Sequence, residues 1–207
     1  MNINLLIKFF QEGGFYMYPI ATVMAVGFAI TLERFIFLSA AKAANKKAFD
    51  QLMPFIKKRD LDAIIKMGAS SSAPIARIIA AGAARLKITQ DRDDISYAME
   101  EGVMEITPRL EKRTPYLATL ANLATLLGLL GTIIGLIDAF AAVANAAPSE
   151  KAALLSASIS VAMNTTAFGL VAAIPLLIFY SLLQTKTTEI VDSLEMAGVK
   201  FLNSLSD

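Results

Sequence analysis

The residues best placed to do chemistry are polar groups set inside long apolar runs. Thr119, Asn122, Thr125, Gly128, Thr132 and Gly135 follow one another at steps of three or four, so they fall on a single helical face. A later run carries Ser156, Ser160, Asn164, Thr165, Thr166 and Gly169, again mainly on one side. Hydroxyls in such places bond their own backbone and ease helix packing, or they line something that is not lipid. Pattern alone leaves both readings open. Neither run has an ionisable residue near its middle, and Asp138 lies toward the end of the first. Ion transporters usually place a carboxylate or lysine at mid-depth. A polar lining here therefore lacks its charge, which a second molecule could bring.

Other chemistry is thinly represented. The chain has no cysteine and no histidine, which excludes disulfides, thiolate sites, Ser-His-Asp triads and histidine-bound metals. Gly128, Gly131 and Gly135 lie inside an apolar run, not between a strand and a helix, so they do not form a phosphate loop. An enzyme is not expected, nor is a cofactor. Net charge is +1, which offers no reason to expect nucleic acid.

The elements that must hold these residues are membrane helices. Of 207 residues, 56% are hydrophobic, and the mean hydropathy of +0.57 is too high for a water-soluble globule. Apolar stretches cover residues 15–41 (interrupted by Glu33-Arg34), 116–144 and 152–183. At ~1.5 Å per residue each can cross ~30 Å of hydrocarbon. The first is too long in its apolar core for a cleaved signal peptide and reads as a retained span. Residues 2–12, with Ile3, Leu6, Ile7 and Phe10, read as a short helix lying in the bilayer interface. Residues 42–113 carry 8 Lys and 6 Arg, whereas 145–151 carries only Lys151. The positive-inside rule puts the large block in the cytoplasm, the N-terminus outside and the C-terminus inside.

The expected organisation is all-α. An interfacial helix and first span occupy 1–41, a cytoplasmic helical region 42–115, the second and third spans 116–185, and a cytoplasmic helix 186–207. Helix breaks are expected at Lys58–Asp60, Gly68–Ser72 and Lys87–Asp91, with Thr89 or Asp91 capping a helix whose first turn is acidic. That helix can run on into the second span despite Pro108 and Pro115. Residues 42–113 hold too few large apolar side chains for a good independent core. They read as stalks packed on one another and on neighbouring subunits, with their charges on solvated faces.

Glu33-Arg34-Phe35-Ile36-Phe37-Leu38, Glu100-Glu101-Gly102, LATLANLATLLGLLGTIIGLIDAF (117–140) and TTAFGLVAAIP (165–175), in this order, resemble the ExbB/TolQ/MotA ion-driven motor subunits, nearest the ExbB/TolQ branch. The resemblance implies a homopentamer in the bacterial inner membrane around a dimer of a single-span partner, ExbD-, TolR- or MotB-like, with an aspartate in its span. Thr132 and Thr166 match the family threonines and would face that aspartate, with Thr165, Asn164 and Thr125 nearby on the ion pathway. Gly128, Gly131, Gly135 and Gly169 would serve subunit packing, and Pro175 matches a proline that kinks the third span. Energising outer-membrane transport is the implied task, with envelope maintenance and gliding as alternatives. The absence of MotA's additional first span speaks against a flagellar stator.

One departure concerns the ion. Val161 stands where many relatives have glutamate, and Thr165-Thr166 is similar to sodium-driven members. Proton coupling is the leading reading. Sodium held by Thr132, Thr165, Thr166 and a partner carboxylate is the alternative. A small self-sufficient transporter and a non-conducting membrane scaffold are the competing functions. Glu33-Arg34 reads most simply as an interfacial pair in which the arginine reaches for water.

Overall fold

The computed structural model describes residues 13–205. The interfacial helix expected at residues 2–12 lies outside them. Every regular element among the described residues is a helix: α1 Met17–Lys57, α2 Leu61–Ser70, α3 Pro74–Leu86, α4 Arg92–Glu111, α5 Thr114–Asn145 and α6 Lys151–Ser204. Three stretches are long and apolar enough to cross a membrane: α1, α4–α5 and α6. Apolar side chains stay exposed along them, among them Phe28, Leu32, Leu126, Ile133, Ile137, Phe140, Val171 and Ile178. Exposed apolar rows of this length mark contact with a membrane or with other chains rather than with water. The chain is a membrane protein.

Local chemistry sets the helix ends. Arg59 adopts φ 53° and Asp60 caps α2, its side chain accepting from the Ala63 N–H at 3.1 Å. Pro74 opens α3, where its missing N–H is no loss. Of the two expected caps before α4, Asp91 is the one that acts, accepting from the Asp93 N–H at 2.9 Å; Thr89 shapes the preceding turn by accepting from the Asp91 N–H at 3.0 Å. The continuous helix from residue 91 into the second span does not form. Residue Lys112 leaves helical geometry and Arg113 turns to φ 67° before α5 begins. Pro115 explains the break: it has no N–H to donate to the Glu111 carbonyl and its ring would clash there, whereas in the first turn of a new helix the missing N–H is no loss. α6 continues through Pro175, where the Val171 carbonyl loses its usual donor.

The described residues divide into two compact units, one of 13–32 with 113–181, the other of 33–112 with 182–205. The second is more than bare stalks. Leu38, Leu52 and Ile56 of α1, Ile64 of α2, Ile75 and Ile79 of α3, Ile95 and Met99 of α4, and Ile190, Leu194 and Phe201 of α6 are all buried. Residues 42–113 are short of apolar volume alone, and α6 makes up part of the deficit. Polar latches join α1 and α6 within this unit. The Lys186 ammonium donates to the Ser39 hydroxyl at 2.6 Å and lies 4.0 Å from the Phe35 ring. Lys42 bonds Glu189 at 2.6 Å, beyond the apolar stretch of α6. That hydrogen bond and the ammonium charge hold the Glu189 carboxyl below its ordinary range, though an exposed pair of this kind adds little stability.

Arg34 departs most from the sequence expectation. It does not reach for water: it is 2% exposed. Its guanidinium donates to the carbonyls of Leu110 and Arg109, the latter at 3.3 Å, and stacks 4.5 Å from the Phe37 ring. Glu33 is 3.9 Å away. Arg34 thus satisfies the last carbonyls of α4 and places a cation at the negative end of its dipole. Removing it leaves buried carbonyls without a donor, and Arg34→Ala is expected to destabilise the fold by about 3 kcal/mol. Arg34→Lys, which keeps the charge without the planar fork, should recover only part of that loss. Thermal unfolding in detergent measures both, and an unchanged midpoint in the alanine variant would remove the cap from the account.

Candidate functional site

Within the first unit α5 and α6 come into backbone contact. A Cβ added to Gly169 would lie 2.7 Å from the Ala124 carbonyl oxygen and 3.1 Å from the Gly128 Cα; one added to Gly128 would lie 3.3 Å from the Gly169 Cα. Only two glycines facing each other permit this approach. Further along α5, Gly131 admits the Thr165 methyl, and Gly135 packs on Ala162. All four glycines expected to serve packing make these contacts inside one chain.

This approach brings two hydroxyls together. Thr132 of α5 and Thr166 of α6 touch through their Oγ1 atoms. Thr166 also reaches the Gly128 carbonyl at 3.0 Å, and Thr132 reaches the carbonyls of Gly128 at 3.1 Å and Ala162 at 3.4 Å. Each hydroxyl has one proton and two lone pairs. Two protons therefore serve more acceptors than they can satisfy at once, and either hydroxyl can change partner by rotating. Both residues are half-buried, so the pair stays accessible from one side.

Thr165 turns elsewhere. It is 2% exposed, and its hydroxyl contacts the Gly13 carbonyl at 2.6 Å and the Val161 carbonyl at 3.0 Å. Gly13 belongs to the turn that leads into α1; next to it Gly14 sits at φ 76°, against Val161. Adjacent residues of a helix point ~100° apart, which separates the Thr165 hydroxyl from the Thr132–Thr166 pair. Asn164, half-buried, is two residues before Thr166 and on the far side of α6. Thr125 donates to the Ala121 carbonyl at 3.1 Å, two turns along α5 from Thr132. Of five polar residues singled out in the sequence, two form the cluster. The Gly13 carbonyl was not among them, and a backbone acceptor 152 positions from its donor leaves no trace in sequence spacing.

The surroundings of the pair carry no charge. Asp138 is the one charged residue of α5 between 114 and 145, and α6 has none from 152 to 183. Hydroxyls in hydrocarbon can stabilise an anion or relay a proton, but they cannot hold a net charge themselves. A family model described as the MotA/TolQ/ExbB proton channel family matches residues 70–196, more than half of the chain. The chain belongs to that family. The match takes in α3, α4, α5 and the spanning part of α6, and with them Thr132, Thr166 and the Gly128–Gly169 contact. It leaves out α1, so Arg34 and the Gly13 acceptor of Thr165 lie beyond it. A search of curated proteins gives no match. Membership makes this chain a component of an ion-driven motor channel, and the hydroxyl pair is the polar feature that its α5–α6 contact places in the apolar layer.

Proposed function

We propose that the chain is an ExbB/TolQ-like subunit. Five copies enclose a dimer of a single-span protein, ExbD/TolR/MotB-like, and use the proton-motive force of the bacterial inner membrane to drive work in the envelope, such as energising outer-membrane transport. The observation that carries this reading is the Thr132–Thr166 pair, an uncharged hydroxyl cluster in spans that supply no mid-depth acid.

A carboxylate at mid-membrane is disfavoured by at least ~2.5 kcal/mol. An aspartate of the partner helix, brought beside the pair, competes with the Gly128 carbonyl for a hydroxyl proton. It wins because a hydrogen bond to a charged acceptor is about twice as strong as a neutral one. Protonation of the carboxyl removes that advantage, and the hydroxyls return to Gly128 and Ala162. Alternation between the two states lets the partner step from one subunit to the next. A potential of ~100 mV supplies ~2.3 kcal/mol per charge, close to the electrostatic step it must drive. With the N-terminus outside and the second unit in the cytoplasm, Arg34 and the lysines of residues 42–113 fall on the inner side, consistent with their charge bias.

The engagement of Thr165 with Gly13 favours protons over sodium. A dehydrated sodium ion needs several converging oxygens, and the Thr165 hydroxyl is held on another flank of α6. Replacing Thr165 by alanine should therefore leave the motor indifferent to sodium and loosen the turn at Gly13. Activity assayed with sodium present and absent checks the first, and protease sensitivity near residue 13 the second. A sodium requirement in the natural protein, lost in Thr165→Ala, would overturn the proton reading. The partner is tested by purification in mild detergent, which should recover a single-span protein with an aspartate in its span. Repeated purification without one would reject the motor subunit in favour of a scaffold.

A further inference from the structure

The second unit carries two grooves of opposite charge on opposite flanks of α6. One, of about 300 Å³, is lined by the apolar Phe49 and Met196 together with Lys42, Lys46 and Lys200. The other, of about 380 Å³, is lined by the apolar Met104, Leu194 and Val199 together with Glu100 and Glu195. Met196 and Lys200 on one side and Glu195 and Val199 on the other lie in different sectors of the helix. Averaged over all the lining positions, the two sectors are about half a turn apart.

Both grooves offer apolar surface: Met196 is 56% exposed, Met104 72% and Val199 50%. The charges are single-signed in each. Lys42 is already bonded to Glu189, so Lys46 and Lys200 supply the positive rim. Glu100 accepts from the Ser96 hydroxyl at 3.1 Å, a neutral partner that leaves its charge in place. A surface with an apolar floor and a rim of one sign fits a partner with an apolar centre and a rim of the other sign. This chain presents both halves of such a match.

We propose that the occupant of each groove is a second copy of this chain. The Lys46–Lys200 side of one copy seats against the Glu100–Glu195 side of the next, with Met196 packing toward Met104 and Val199. Complementary patches on opposite flanks make a head-to-tail contact, which repeats around a ring when the rotation closes. The contact rests on the multimeric reading given above, and names the surfaces that would carry it. Like charges meet if a copy docks in reverse, so the pattern also selects the direction of the ring.

The chain has no cysteine, so introduced thiols report without background. Two tagged full-length copies, one with Lys46→Cys and the other with Glu100→Cys, are co-expressed and treated in membranes with a bis-maleimide reagent. The expected product is a covalent dimer carrying both tags, with each single variant alone remaining monomeric on a denaturing gel. Lys46→Cys made together with Lys200→Glu should lower the yield at least fivefold, and Glu195→Lys on the other copy should restore it. Copies that co-purify without forming the mixed dimer would overturn this contact and leave the multimer standing. A dimer from either single variant alone would overturn the head-to-tail arrangement. Copies that fail to co-purify at all would overturn the multimer, and the contact with it.

Discussion

Thr132→Ala and Thr166→Ala should each leave the protein assembled in the membrane and cut its ion-driven work at least tenfold. On the proposed mechanism each change removes a donor that would reach the partner carboxylate in the working state. A hydrogen bond to a charged group contributes about 1.5–3 kcal/mol, or roughly 10- to 100-fold in the rate of a step that depends on it. The resting fold loses far less, because the Gly128 carbonyl keeps the surviving hydroxyl as a donor. Thr→Ser at either position retains the hydroxyl and should retain most activity. A packing role makes the opposite forecast: serine, lacking the methyl, would be nearly as harmful as alanine, and both would reduce assembly. Activity and assembled mass measured on the same four variants separate the two roles.

Gly169→Ala should be among the most damaging single-methyl changes in the chain. The new Cβ would meet the Ala124 carbonyl at 2.7 Å and the Gly128 Cα at 3.1 Å, and neither is the movable end of a side chain. Overpacking a tight interior typically costs about 1–3 kcal/mol, and backbone on the receiving side puts this case at the upper end. α5 and α6 would have to part, which draws Thr132 away from Thr166 as well. Gly128→Ala is expected to be milder, since its nearest contacts are at 3.3 Å. The double variant should fall short of the sum, because the first methyl already opens the contact that the second would enter. Thermal unfolding in detergent reads all three. A Gly169→Ala midpoint equal to that of the natural protein would mean that the helices do not meet there.

Local signals made much of the architecture legible in the sequence. The three apolar runs, the cap at Asp91, and the breaks near Lys58–Asp60 and Lys87–Asp91 each depend on a few adjacent residues. So does the facing row on α5, because helical periodicity is a property of spacing alone. Three features escaped, each for a physical reason. The stop at Lys112–Arg113 needed Pro115 to outweigh an apolar pattern that otherwise invites one long helix. The role of Arg34 depends on carbonyls 75 and 76 positions away, and a buried guanidinium has the same sequence signature as one reaching for water. Thr165 and Thr166 are neighbours of one type, and only the placement of Gly13 and Thr132 gives them different partners.

Reconstitution of this chain alone into liposomes is the most direct test of the borrowed acid. With no mid-depth carboxylate or lysine of its own, it should pass neither protons nor sodium under an imposed potential of about 100 mV. A flux from the chain alone that disappears in Thr132→Ala would contradict the account, because the hydroxyl pair would then conduct without an acid from another molecule.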